Sequence, residues 1–235
     1  MKVRLRLWLI VLASVFLLGC AKGRELPYDA WSLDFFAPPN MEVWVETANV
    51  EDIRGHFFYH AGGGTIAVGS NDNPPPGWPD DDAIGAGRYV DGADFPRRIY
   101  VRWQSLVEPQ TYEVTLDIPQ AVRDQMAQSV RESLYPGDKT GRYYYENLVI
   151  GLAPGGSVGV WVSGPGFKAI PMMCAQAKIV ALGPSQGKTD GQYAYTFNQL
   201  DPSTQAYLKA HTIPYSSWKC DQPPFGTLKP KVIPG

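Results

Sequence analysis

The sequence predicts a mainly β protein: an antiparallel β-sandwich-like domain of about nine strands with two short helices, with α+β as the alternative. Three observations predict it. The chain carries 24 Gly and 21 Pro, which punctuate it too often for long helices. Its 7 Trp, 13 Tyr and 9 Phe suit a pleated, half-buried surface. Several stretches alternate apolar and polar residues at period two, whereas apolar recurrence every four residues stands out only once.

In chain order, Trp31–Phe36 reads as a strand stopped by the turn Ala37-Pro38-Pro39-Asn40. Met41–Ala48 alternates, with Met41, Val43 and Val45 on one face and Glu42, Trp44 and Glu46 on the other. Phe57–His60 and Thr65–Val68 flank Ala61-Gly62-Gly63-Gly64 as an expected hairpin. Residues 70–97 are rich in Asp and Pro and read as a long loop carrying one short strand near Arg88–Val90; long loops in compact domains often carry function. Arg98–Gln104 and Gln110–Ile118 alternate again, aiming Ile99, Val101, Trp103, Tyr112, Val114, Leu116 and Ile118 at a core.

Pro119 suits a first helical position, and Val122, Met126, Val130 and Leu134 predict an amphipathic helix over 119–133, ended by Pro136-Gly137. Leu148–Ala153, Val158–Ser163 and Ala175–Leu182 read as strands, the first two joined by a turn at Pro154-Gly155-Gly156. Tyr193, Tyr195 and Phe197 hint at one more. Asp201-Pro202 caps a second helix to about His211, and the tail from Pro214 is expected to lie extended on the surface.

The first residues set a compartment. Lys2, Arg4 and Arg6 precede an apolar run, Leu7 to Leu18, that has the proportions of a signal-peptide h-region and is short for a spanning helix. The run ends in Leu17-Leu18-Gly19-Cys20, which resembles a bacterial lipobox, with Cys20 as the thiol that receives lipid. The expected organisation is therefore a signal peptide over 1–19, a short tether over 20–27 with a lipidated Cys20, and one periplasmic β-rich domain over 28–235. Ala21 is not the Asp that retains lipoproteins in the inner membrane, so the outer membrane is favoured. Cleavage would remove three of the 21 basic residues and none of the 23 acidic ones, taking the formal charge from −2 to −5. Such a surface disfavours nucleic acid and suits a basic protein partner. Cys174 and Cys220 are then the remaining thiols, in a compartment that oxidises pairs; a bridge and two separate thiols both remain open.

Motifs for chemistry are weak. Gly183-Pro184-Ser185-Gln186-Gly187 matches Gly-x-Ser-x-Gly, and Asp201 and His211 follow in hydrolase order. A nucleophile elbow requires a helix directly after the serine, whereas Lys188-Thr189-Asp190-Gly191 is turn material. His56 and His60 are spaced for a helix but read as strand, which holds them about 13 Å apart, too far to share a metal. Asp80, Asp81 and Asp82, with Asp72 and Asn73, lack the spacing of a calcium loop. No catalytic residue, metal ligand or cofactor is assigned. Two aromatic positions are more informative. Trp44 shares a strand face with Glu42 and Glu46, and Trp161 shares one with Gly159 and Ser163; each is either covered by another element or an anchor for a partner.

The segments Leu26–Trp31, Met41–Glu46, Arg97–Tyr112 and Ile150–Gly156 resemble those of the bacterial lipoprotein family called domain of unknown function 2931, with Arg98–Leu106 the most specific stretch. The resemblance spans nearly the whole mature chain and brings no catalytic motif. By location and gene setting it implies a likeness to periplasmic immunity proteins that neutralise type VI secretion effectors. The expectation is a non-enzymatic, membrane-anchored lipoprotein that binds a protein partner, with Trp44, Glu42, Glu46, Asp80, Asp81 and Asp82 as candidate contacts. The alternative is a structural or accessory envelope lipoprotein with no toxin partner.

Overall fold

A computed structural model describes residues 23–66, 77–130 and 141–227. The segment expected to be a signal peptide, Cys20, Asp72, Asn73 and the end of the expected 119–133 helix lie outside the described residues. Two five-stranded sheets form the domain. The first runs in the order β11 (Ile170–Gln176), β10 (Ser157–Ser163), β9 (Asn147–Ala153), β1 (Ser32–Phe36), β4 (Ala86–Tyr89). The second runs β12 (Lys178–Ile179), β6 (Gln110–Asp117), β5 (Pro96–Ser105), β2 (Val43–Asp52), β3 (Phe57–Thr65). A short ladder joins β7 (Ser129–Val130) to β8 (Tyr143–Tyr144). Helices α1 (Gln120–Ala127) and α2 (Pro202–Ala210) complete the secondary structure, with short 3-10 turns.

The domain is mainly β and sandwich-like, as the alternation predicts. Val43, Val45, Ile99, Val101, Trp103, Tyr112 and Leu116 are buried from the second sheet, and Leu33, Phe35, Leu148, Ile150, Leu152, Val158, Val160 and Val162 from the first, in one continuous core. Pairing is antiparallel except between β1 and β9, which run parallel. The first sheet's central strands β1, β9 and β10 are buried along almost their whole length, whereas its edge strand β4 is exposed and β11 half-buried. On its outer face Trp161 is fully buried among Phe36, Trp78 and Phe225, with ring centroids 4.9 to 5.5 Å from its own. Gly151 and Gly159 make room for this cluster: a Cβ at Gly151 would come within 2.6 Å of the Trp78 ring, and one at Gly159 within 2.8 Å of Phe225.

Several elements differ from expectation. Gly62, Gly63 and Gly64 lie inside β3 rather than in a turn, and the chain reverses at residues 53–56 instead. The physical reason is close approach: a Cβ on Gly62 would meet the Phe35 ring at 2.6 Å, so only glycine lets β3 cross the first sheet there. The first helix stops at Ala127, and Val130 pairs with Tyr143 in a ladder instead of extending it. The expected strand over Ala175–Leu182 is split between sheets, because the chain crosses at Ala177, whose N–H donates to the Gly156 carbonyl at 2.8 Å. Its first half belongs to β11, where Pro171 is tolerated on an edge strand beside a register shift. Tyr193 and Tyr195 lie in irregular chain and Phe197 opens a 3-10 turn. The tail from Pro214 does lie largely at the surface, but in 3-10 turns rather than extended, and it is pinned by the fully buried Trp218 and by a Cys174–Cys220 disulfide with Cα atoms 5.5 Å apart.

The amino-terminal leader joins the fold early. The buried Asp94 carboxylate accepts the N–H groups of Glu25 (2.8 Å) and Leu26 (3.0 Å), and Leu26 is itself buried. Arg54 offsets the charge there, lying 3.2 Å from Asp52 and 3.6 Å from Asp94.

Candidate functional site

The structure separates the residues singled out from sequence into two regions. The first is the outer face of the second sheet. Glu42, Trp44 and Glu46 do share that face, but residues 184–201 cross it. Glu46, 5% exposed at its side chain, pairs with Arg102 and accepts from Gln104 Nε2 (2.8 Å) and the Ser185 N–H (2.6 Å). Gln104 Oε1 accepts the Ala194 N–H at 2.7 Å, and Glu42 accepts the Asp201 N–H at 2.8 Å. Trp44 packs edge-on against Tyr195, centroids 5.8 Å apart. These side chains hold the chain's own carboxyl-terminal third in place. Glu42 is buried and the Glu46 side chain nearly so, and both carboxylates are engaged by the chain's own groups.

The same segment decides the hydrolase-like motif. Ser185 sits in a 3-10 turn at φ 52, its N–H committed to Glu46. Asp201 caps the start of α2 by accepting the Ser203 N–H, and His211 caps its end, so about 15 Å of helix separates them and no triad assembles. His56 directly precedes β3 and sits 3.6 Å from Asp52, whereas His60 lies within the strand. Among the described residues no three His, Cys, Asp or Glu side chains converge on a metal position.

The second region is a cleft of about 440 Å³ on the outer face of the first sheet. Its floor is Asp34, Asn147, Val149 and Ser163, from β1, β9 and β10, and its walls are residues 81–85 and 164–169. Asp81 and Asp82 stand in the first wall; Asp80 is exposed beside it. The wall is strapped down on both sides: Trp161 Nε1 donates to the Pro79 carbonyl (3.2 Å), the Ala169 N–H to the Asp81 carbonyl (2.8 Å), and Lys168 pairs with the Asp81 carboxylate. Ile84, 82% exposed, stands at the rim.

Asp34 was missed by the sequence reading. It is 9% exposed, accepts one hydrogen bond, from Ser32 Oγ at 3.1 Å, and its second oxygen accepts none among the described residues. Burial pushes its carboxyl above the usual range, which the Ser32 bond only partly offsets. A signal existed: an aspartate between Leu33 and Phe35, on a strand buried along its length, demands a partner. A second depression, of about 380 Å³, is lined by Tyr28, Asp29, Ala30, Tyr89, Asp91 and Glu146; burial raises the Glu146 carboxyl too.

These features define a class: a two-sheet, mainly β domain that closes one acidic face with its own chain and leaves another open. The particular family is that described as "Protein of unknown function (DUF2931)": its model matches residues 20–216, and the chain belongs to it. No curated protein and no solved structure matches the chain.

Proposed function

We propose that this protein is a non-enzymatic lipoprotein, anchored through Cys20 to the periplasmic face of the outer membrane, that binds a protein partner, and that the partner is a toxic effector of the type VI secretion class. One observation carries the partner reading: the open cleft, in which a buried carboxylate lacks a cation beside an exposed apolar rim. The anchor is supported by the lipobox-like segment and by a family match that begins at Cys20. Because Asp94 holds Glu25 and Leu26, the domain would stand within about 17 Å of the lipid, close enough to intercept a protein arriving at the membrane. Deleting the gene is expected to sensitise cells to an effector encoded beside it, and the purified protein to copurify with that effector. Full resistance of the deletion strain to every neighbouring effector would overturn the immunity reading and favour a structural envelope role.

A further inference from the structure

We propose that the cleft over β1, β9 and β10 receives an arginine side chain from a basic surface of the partner protein, with Asp34 as the innermost acceptor. The inference rests on the partner-binding reading and names the chemistry of the contact. Its floor and walls offer acceptors in excess: Asp34, Asp81, Asp82, Asn147 and Ser163, against a single lining cation, Lys168, which is exposed and already paired with Asp81. Asp34 and Asp82 therefore have no cationic partner among the described residues. Residues 85–87 pack closely along Asp34: a Cβ at Gly87 would meet the Leu33 carbonyl oxygen at 1.9 Å and Asp34 Oδ1 at 2.5 Å, and one at Gly85 would meet the Asp34 Cβ at 2.9 Å, so no side chain from either position covers the carboxylate.

Arginine fits this site better than lysine. Its planar fork carries five donors that can bridge Asp34 and the neighbouring Asn147 and Ser163 oxygens, it is more weakly hydrated than an ammonium group, and its flat face suits the Phe167 ring in the wall. A protein source fits better than a free small cation for two reasons. Ile84 at the rim is largely exposed and would be covered only by a larger ligand. A separate depression carries the carboxyl groups of Asp29, Asp91 and Glu146, with Arg24 close enough to act on its Tyr28, and only a ligand of protein size would meet it together with the cleft.

The test is titration of purified, 15N-labelled full-length protein with acetyl-Gly-Arg-Gly-amide, its citrulline and lysine counterparts, and methylguanidinium. Amide shifts at Gly85, Gly87 and Gly164 are expected with the arginine peptide, less with lysine and none with citrulline. Asp34→Asn, whose spectrum also reports whether it folds, should weaken the arginine peptide about tenfold. Asp82→Asn, on an exposed side chain that cannot unfold the core, should weaken it about twofold. Equal shifts with citrulline, or undiminished binding by a folded Asp34→Asn protein, would overturn the inference. Methylguanidinium binding as tightly as the peptide would overturn the protein source. An effector that copurifies equally well with Asp34→Asn would overturn the inference while leaving the partner reading standing.

Discussion

The outer faces of the two sheets carry the same kinds of residue, aromatics beside carboxylates, and use them in opposite ways. On the second sheet Glu46 accepts three donors, from Arg102, Gln104 and Ser185, and its burial is offset. On the first sheet Asp34 is buried to a similar degree with one hydroxyl for company. The lesson is that burial alone does not distinguish a structural carboxylate from a binding one; the tally of its donors does. A carboxylate with a full set stabilises the fold. One left short costs stability, and that cost is tolerated where a ligand supplies the missing donors.

Three substitutions sharpen or break this comparison. The largest effect is expected from Glu46→Ala, which strands Arg102, 12% exposed, and releases the turn at Ser185; a loss of about 3–5 kcal/mol in denaturant unfolding is expected. A loss below about 1 kcal/mol would show that Glu46 does not hold that turn. Trp44→Ala comes next. It removes a half-buried ring from Tyr195 and should lower stability by about 2 kcal/mol while leaving partner affinity unchanged; an affinity loss without a lower melting point would return Trp44 to the interface.

The smallest effect has the opposite sign. The Asp34 carboxyl is raised above its unfolded value by burial, so its contribution to stability is full below the unfolded pKa of about 4 and is lost as pH rises through the folded value. At pH 7 the ionised side chain therefore weighs against folding. Asp34→Asn should melt a few degrees higher than wild type at pH 7, with the advantage fading towards pH 4. A lower melting point at pH 7 would class Asp34 with Glu46 as a structural group.

How much of this was legible without coordinates follows the range of the interaction. Strict alternation placed β2, β5 and β6 and named their core residues, because side-chain period is a local property of the strand. Asp201-Pro202 marked the start of α2 because capping is settled within three residues, where Asp201 accepts the Ser203 N–H. The Asp80–Asp82 run pointed to one wall of the cleft. Contacts between distant parts of the chain were beyond such reading. Glu46 meets Ser185 across 139 positions, and Asp81 meets Lys168 across 87. Local pattern read Gly62–Gly64 as a turn, because the Phe35 ring that demands glycine there belongs to the other sheet. By itself, then, the sequence determined a mainly β chain, its strand faces and the short-range caps. Only tertiary structure decided that the Trp44 face is closed and the Asp34 cleft open, because donors and covering segments come from residues that chain folding alone brings together.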